Sequence, residues 1–133
     1  MTNRSPALDR VRVGDCMNRG ILSCSPDTPL GEVAGVMAEN RVHAVAVNDI
    51  DGTHLIGVVS ALDVVAAAVS GEEPTALQAA ATEHLSVSSR ESLHRAGQLM
   101  SEYGVSHLIV LDESSGEPVG VLSTLDIASE YAH

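Results

Sequence analysis

The eight-residue stretch GVVSALDV, residues 57–64, recurs 63 positions later as GVLSTLDI, residues 120–127. The similarity extends outward from these two stretches, because residues 21–64 align with residues 84–127 without a gap. Self-similarity at a fixed offset is the sequence signature of a repeated structural unit. The chain is therefore predicted to contain two copies of one unit, and the fold depends on how a single copy folds.

Both copies show the same succession of patterns. A short extended segment leads into a helix with apolar residues at helical spacing, and two strands joined by a turn precede a second helix. A unit of about 60 residues buries too little surface to be stable alone. We therefore expect an α/β fold in which two β-α-β-β-α copies pack through their sheets about a pseudo-twofold axis. The extended segments are predicted at residues 22–25, 43–47 and 55–59 in the first copy and at residues 85–88, 106–111 and 119–122 in the second.

The patterns also predict how the chain divides. Residues 1–10 are expected to be a flexible N-terminal segment, and residues 11–69 the first repeat. Residues 70–74 read SGEEP, an acidic stretch with Gly and Pro that is typical of a linker and to which we assign no chemistry. Residues 75–133 form the predicted second repeat, which opens with the alanine-rich and predicted helical residues 75–82.

Composition and charge argue against several classes of partner. The chain has 133 residues, of which 44% are hydrophobic, so it can bury a core. Its seven basic residues are all arginine and its 18 acidic residues outnumber them, which gives a net charge of −11. Such a field repels nucleic acid and anionic membrane surfaces. Because Trp and Phe are absent, the chain also lacks aromatic platforms for single-stranded bases. We expect neither nucleic acid nor a membrane as a partner.

Motifs for metal binding or catalysis are not apparent. Cys16 and Cys24 match no CxxC or zinc spacing, and we expect both to be reduced thiols. The histidines show no His-x-x-x-His spacing and no nucleophile motif occurs, so we expect no metal site and no enzyme activity. Neither an apolar run long enough for a membrane span nor a secretory signal is found, which favours a cytoplasmic location.

The repeated stretch places Ser and Asp three residues apart at the start of a helix, as Ser60 and Asp63 and again as Ser123 and Asp126. One interpretation is a capping box, in which the two side chains satisfy backbone groups at the helix N-terminus. The other is a nucleoside phosphate site. Free amides and a hydroxyl at a helix start suit a phosphate, and a carboxylate can accept two hydrogen bonds from a ribose diol.

The tandem G-h-h-S-x-x-D-h stretches (h, hydrophobic), the V-h-V-x-D strands before them and the helix ending in Met closely resemble a pair of cystathionine beta-synthase (CBS) domains, a Bateman module. The resemblance covers about residues 13–128. It implies a stand-alone regulatory module that senses an adenosine-containing ligand in the cleft between two CBS repeats. AMP, ADP, ATP and S-adenosylmethionine are the candidate ligands, and the regulated partner protein is unknown. The alternative is a ligand-free structural module that serves dimerisation.

The resemblance also implies roles for individual residues. The motif Asp would hold the ribose, the motif Ser would approach the phosphate, and backbone near residues 24–26 and 87–89 would meet the adenine. The family often has a basic residue early in the second strand, where this chain has His43 and His107, although His43 aligns with Ser106. Arg41 and Arg90 are further phosphate candidates. The candidate ligand residues are Ser60, Asp63, Ser123, Asp126, His43 and His107.

A homodimer is expected from the helix that follows Asp63. Residues 64–69 read VVAAAV, so this helix is apolar on every side and must be covered on every side. The resemblance implies a flat dimer of two modules, and Val65, Ala68 and Val69 are the candidate interface residues. Packing of this helix against residues 75–82 of the same chain is the competing explanation.

Overall fold

The computed structural model describes residues 6–52, 54–83 and 85–132. Among them the succession of strand, helix, strand, strand and helix is confirmed in both copies. The helices are α1 (Pro6–Arg10), α2 (Val13–Cys16), α3 (Leu30–Asn40), α4 (Ala61–Ser70), α5 (Ala76–Ala79), α6 (Leu93–Tyr103) and α7 (Thr124–Tyr131). The strands are β1 (Asn18–Arg19), β2 (Ser23–Cys24), β3 (Ala44–Asn48), β4 (Leu55–Ser60), β5 (Ser86–Ser88), β6 (His107–Leu111) and β7 (Pro118–Ser123).

The described residues form two compact units, and these do not follow the order of the chain. The first-copy unit comprises the described residues from Leu22 to the end of the 54–83 segment. The second-copy unit comprises the described residues from Leu85 onward together with those up to Ile21. The segment before the first repeat therefore packs with the second repeat, and the segment before the second repeat packs with the first. A division into residues 11–69 and 75–133 places each of these segments with the wrong repeat.

The first-copy unit has a three-stranded sheet in the order β2-β3-β4. Strand β2 is parallel to β3, and β3 is antiparallel to β4. Alternate residues of the central strand, Val45 and Val47, pack with Val33 of α3 and Val59 of β4 in one aliphatic core. Since β3 carries apolar side chains on both faces, residues Ala44 to Val47 are all buried.

The second-copy unit repeats this arrangement with one added strand, in the order β1-β7-β6-β5. Its core contains Leu93 of α6, Leu108 and Val110 of β6, and Leu122 of β7. The β6–β7 register shifts between Val110 and Leu111, 63 residues after the corresponding shift between Val47 and Asn48. The two copies therefore share detailed backbone irregularities as well as topology.

The segments that precede the repeats are exchanged between units in an equivalent way. We call residues 12–19 and 75–82 the lead-ins; they are 63 positions apart. The Val13 N–H donates to the Glu91 carbonyl, at 2.8 Å, and the Ala76 N–H donates to the Thr28 carbonyl, at 2.7 Å. Val13 and Ala76 are both fully buried. The two lead-ins therefore occupy equivalent places although their sequences differ.

The motif glycines are explained by these lead-ins. A Cβ on Gly120 would lie 2.5 Å from the Asn18 carbonyl oxygen, and one on Gly57 would lie 3.1 Å from the Cβ of Ala80. Asn18 pairs with Val121, and Ala81 forms the equivalent bridge with Val58. The residue without a Cβ at each of these positions therefore leaves room for the lead-in that packs against it.

Two local predictions differ from the structure. Of the expected flexible segment 1–10, residues 1–5 lie outside the described residues, whereas Pro6–Arg10 forms α1 because Leu8 packs against the second-copy core. The helix within residues 75–82 is limited to α5, since Ala80 is already extended.

No helix among residues 6–52, 54–83 and 85–132 is long and apolar enough to cross a membrane.

Candidate functional site

The Ser–Asp motif of the first copy forms a complete capping box at the start of α4. The Ser60 N–H and hydroxyl both donate to Oδ2 of Asp63, at 2.8 and 2.9 Å. The Asp63 N–H donates to the Ser60 hydroxyl oxygen, at 3.3 Å. This arrangement satisfies backbone donors that the first turn of a helix leaves without partners.

The second copy reproduces this geometry at the start of α7. The Ser123 N–H and hydroxyl donate to Oδ2 of Asp126, at 2.8 and 3.0 Å, and the Asp126 N–H donates back at 3.3 Å. Ser123 is buried, with 8% of its surface exposed, while Asp126 is half-buried. The capping interpretation is thus confirmed in both copies.

Capping does not use up the acceptor capacity of the two aspartates. In each motif the cap engages Oδ2, and among the described residues no hydrogen bond is formed to Oδ1 of Asp63 or Asp126. A carboxylate oxygen can accept two hydrogen bonds. Each motif can therefore cap its helix and still present an acceptor to a hydroxyl donor such as a ribose.

The two histidine candidates occupy different places relative to the motifs. His107 is the ladder partner of Ser123, whereas Ala44 is the partner of Ser60. His43 precedes β3, and its carbonyl accepts from the Ala61 N–H at 2.9 Å, as the Ser106 carbonyl does from Thr124 at 3.0 Å. Only His107 is therefore directly opposite a motif serine.

Asn18 lies beside the second motif, a position that the sequence interpretation did not include. Its amide donates to Oδ2 of Asp126 at 3.5 Å. The corresponding residue of the other lead-in is Ala81, which has no amide to donate. Alignment of the two lead-ins at the 63-residue offset shows this difference between Asn18 and Ala81. It does not show which motif Asn18 contacts.

Both motif aspartates lie among other carboxylates. Asp63 lines a cavity of about 740 Å³ in the first-copy unit together with Glu72 and Glu73 of the predicted linker. Near Asp126, the Cys16 thiol donates to Glu130 at 3.8 Å. Burial, followed by the charges of Glu130, Asp15 and Asp126, raises the pKa of Cys16. These surroundings suit neutral hydroxyl donors and oppose a phosphate placed directly on either aspartate.

Arg90 lies far from the motif of its own copy. Strand β5 is parallel to β6, so Ser88 is level with Leu111, while His107 at the other end of β6 is level with Ser123. Four residue steps along β6 correspond to about 13 Å. Arg90, two residues beyond Ser88, is therefore at the end of the sheet opposite to Ser123.

The remaining predicted positions are more dispersed. Arg41 is exposed and ends α3 in the left-handed conformation, with φ 54°. Val87 is buried in the second-copy core, so only its backbone could meet an adenine. Cys24 is half-buried, and both cysteines are free thiols. No group of three or more His, Cys, Asp or Glu residues in the described part of the chain is arranged to hold a metal ion.

Comparison with known proteins gives one matching family model and solved structures of similar fold. Residues 13–70 and 78–133 each match the family model described as CBS domain. A CBS domain protein from Pyrobaculum aerophilum, solved in complex with AMP, is 27% identical over 92% of this chain and 94% of its own, with a TM-score of 0.81. No curated protein matches the sequence.

Two further solved structures are similar in fold. The CBS domain pair of protein MJ0100, in complex with 5′-methylthioadenosine and S-adenosyl-L-methionine, has a TM-score of 0.82 at 18% identity, covering 92% of this chain and 96% of its own. CBSX2 in complex with AMP has a TM-score of 0.72 at 23% identity, covering 91% and 96%. At these identities the likeness concerns the fold.

Proposed function

This chain belongs to the CBS domain family and carries two such domains, and on that premise we propose that it is a regulatory module that binds an adenosine-containing ligand. The observation that carries the proposal is the duplicated motif, in which a capped helix start retains an unused aspartate oxygen. The AMP complex of the 27% identical relative supports the same ligand class.

We assign the principal site to the second-copy motif. Asp126 would accept hydrogen bonds from the ribose, and the hydroxyl of Ser123 and the ring of His107 would face the phosphate or the group in its place. In the first-copy unit, Ala44 replaces the histidine opposite the motif serine. We propose a weaker site at Ser60, Asp63 and His43, because His43 is one residue away from the position opposite the motif serine.

AMP and S-adenosylmethionine are the ligands that best fit the surrounding charge. Glu130 and Asp15 lie near Asp126, as their shared effect on the pKa of Cys16 indicates. Each phosphate added to a ligand therefore enters a region that already holds several carboxylates. We propose regulation of a partner protein rather than catalysis as the role, and the cytoplasmic location stays a prediction.

Calorimetric titration of the full chain tests this function. AMP and S-adenosylmethionine are titrated in parallel with ribose 5-phosphate, which lacks the adenine base. We expect saturable binding below millimolar concentration for at least one adenosine ligand, and much weaker binding of ribose 5-phosphate. If AMP, ADP, ATP and S-adenosylmethionine all fail to bind below millimolar concentration, the ligand proposal is rejected and the motifs are caps alone.

The alternative, a ligand-free dimerisation module, is favoured by the surface of α4. One face of this helix packs inward, because Val64 and Ala67 contact the first-copy core, as do Ala79 and Ala80 near α5. The competing explanation, packing on residues 75–82, therefore accounts for that face. The other face carries Leu62, Val65 and Val69, which are 75%, 54% and 83% exposed.

We propose that this outer face of α4 mediates a homodimer. Three large aliphatic side chains at helical spacing form a continuous apolar stripe, and burial of such a stripe is the main driving force for association. Ala68 lies beside them and is also exposed, so a second backbone can approach closely. None of the stripe residues belongs to the second-copy motif, where the principal ligand site is proposed.

A further inference from the structure

The second-copy unit contains a cavity that is lined by three of the chain's seven arginines. Its volume is about 350 Å³, and Arg12, Arg19 and Arg90 line it together with Ser89. These are three of only seven basic residues in a chain of net charge −11. We call it the arginine cavity. With Asp15 and Asp112 also in the lining, the arginines leave a formal excess of one positive charge, opposite in sign to the charge of the whole chain.

The arginine cavity is separate from the Ser123–Asp126 motif, although it includes Ser89, one of the residues whose backbone the family resemblance assigns to the adenine. Ser89 and Arg90 follow the end of β5, which is level with Leu111 at the carboxyl end of β6. Ser123 is level with His107 at the amino end of β6, about 13 Å away. No residue of the second-copy motif lines the cavity.

The duplicated fold supplies an internal comparison. The backbone that carries these arginines is bonded like its counterpart in the first-copy unit: Gly14 N–H donates to the Ser89 carbonyl at 2.8 Å, as Leu77 N–H donates to the Pro26 carbonyl at 3.1 Å. At the positions equivalent to Arg12, Arg19 and Arg90, the first copy has Thr75, Thr82 and Asp27. The same scaffold thus forms without any of the three arginines, so the fold does not require them.

Two carboxylates, Asp15 and Asp112, also line the arginine cavity and offset part of its positive charge. Oδ2 of Asp112 accepts from the N–H groups of Ser114 and Ser115 and from the Ser115 hydroxyl, at 3.0 to 3.1 Å, which holds this carboxylate in its own turn. Nε of Arg90 contacts Glu113 at 3.1 Å, but both side chains are largely exposed, and such pairs exchange readily. No ion pair to Arg12 or Arg19 occurs within the described residues.

The backbone at each of the three arginines is held by a contact with another residue of the second-copy unit. Arg19 is paired with Gly120 in β1–β7, Arg12 forms a bridge with Ser92, and the Arg90 N–H donates to the Ser88 hydroxyl at 3.1 Å. Fixing the backbone at each arginine reduces the entropy lost when the side chains converge on a ligand. Guanidinium forks match phosphate oxygens in pairs, which a single ammonium group cannot do.

We propose that the arginine cavity binds a small phosphate-bearing anion, at a site distinct from the Ser123–Asp126 motif. The volume accommodates a diphosphate or a sugar phosphate. The anion could be a free phosphate compound or the phosphate chain of a nucleotide, and the chemistry recognised is the same. The site adds a second input to the regulatory module and does not depend on the adenosine proposal.

Sodium pyrophosphate is the probe, because it has neither ribose nor base. Binding to the full chain is followed by calorimetry at low ionic strength without divalent cations. The double variant Arg12→Thr/Arg19→Thr installs the residues that the first copy has at the equivalent positions. The matched control Arg10→Gln/Arg95→Gln removes two arginines of the same unit that lie outside the cavity. We expect at least a tenfold loss of affinity in the first variant and less than a twofold change in the control.

Two further arms separate the possible sources of the anion and the two sites. In Asp126→Asn, pyrophosphate should bind as it does to the parent protein, which distinguishes the arginine cavity from the Ser123–Asp126 motif.

If ATP displaces pyrophosphate but ribose 5-phosphate does not, the natural ligand is a nucleotide phosphate chain. If ribose 5-phosphate displaces pyrophosphate but ATP does not, the natural ligand is a free phosphate compound. Absence of pyrophosphate binding at 10 mM probe, or equal loss in the control variant, would overturn the proposal. Should the double variant fail to fold, Arg90→Gln alone serves the same comparison.

Discussion

His107 lies directly opposite Ser123 in the antiparallel ladder of β6 and β7, whereas the residue opposite Ser60 is Ala44. Paired residues of an antiparallel ladder carry their side chains on the same face of the sheet. An imidazole is therefore adjacent to the motif hydroxyl in the second copy only. The two motifs share their capping geometry but differ in the chemistry available beside it.

This difference predicts unequal roles for the two aspartates in ligand binding. Asp126→Asn should weaken AMP binding at least tenfold, or about 1.4 kcal/mol, because it removes the charge that strengthens the ribose hydrogen bonds. Asp63→Asn should weaken it less. Asn can still accept from the serine N–H, so the cap is largely kept in both variants. Equal affinities of parent and Asp126→Asn by calorimetry would contradict the assignment.

We also expect the two histidines to contribute unequally to AMP binding. His107→Ala should lower the affinity for AMP severalfold, because the side chain lost is the one beside Ser123. His43→Ala should change it by less than twofold, since His43 precedes the ladder and is exposed. The comparison is made by calorimetry at pH 6 and pH 8. A larger effect of His43→Ala would move the principal site to the first copy.

The charge around the motifs predicts a preference for ligands with few phosphates. In metal-free buffer at low ionic strength, ATP should bind the Ser123–Asp126 site no better than AMP, because repulsion by the −11 chain is least screened there. The measurement uses Arg12→Thr/Arg19→Thr, so that the arginine cavity does not contribute. Clearly tighter binding of ATP than of AMP to that variant would contradict the prediction.

Assembly is tested at the outer face of α4. Sedimentation at micromolar concentration should give about twice the 13.8 kDa mass of one chain. Ala68→Glu should dissociate the dimer, because it places a charge in the apolar stripe. Ala38→Glu on α3, an equally simple change at another exposed helical alanine, should leave it intact. A monomer mass for the parent protein would refute the homodimer proposal.

Cys16 should react slowly with alkylating agents. Its thiol has a raised pKa, first through burial and then through neighbouring carboxylates, so less thiolate is present at pH 8 than in a model peptide. In a Cys24→Ser background, Glu130→Gln should speed alkylation by iodoacetamide because one negative charge is removed. Unchanged rates would show that the charge of Glu130 does not matter.

The raised pKa of Cys16 also makes the free energy of unfolding depend on pH. A thiol whose pKa is higher in the folded state favours folding below its unfolded pKa of about 9. That contribution is lost as the pH rises through the folded-state pKa. The parent protein should therefore lose more stability than Cys16→Ser between pH 8 and pH 10.5, as measured by urea unfolding.

The sequence was sufficient for the order of elements because that order follows from local patterns. Period-2 and helical spacings, and the identical residues at a fixed offset, specify each strand and helix within one copy. The capping boxes also follow, because both partners lie within three residues. Repetition could not indicate whether a motif binds a ligand, since a cap and a ribose acceptor use the same residues.

The parts that sequence reasoning missed depend on distant partners. Asn18 contacts Asp126 across 108 positions, and no local pattern links them. The lead-ins share backbone bonds but no identical residue, so the equivalence of Val13 and Ala76 cannot be seen from the sequence. The sequence also does not show that Arg90 lies at the opposite end of the sheet from Ser123, because this follows from the parallel register of β5 and β6.

The exchanged lead-ins bear on how this chain can be cut and rejoined. A break within residues 70–74 would give two fragments, each carrying the lead-in that the other needs to cover its motif glycine, so we expect the fragments to complement one another and to be unstable apart. A circular permutant that begins at Leu85 and joins residue 133 to residue 1 through a flexible linker would make each unit contiguous. In that permutant every lead-in would follow the repeat it packs against, and the interleaving of the present chain would be undone.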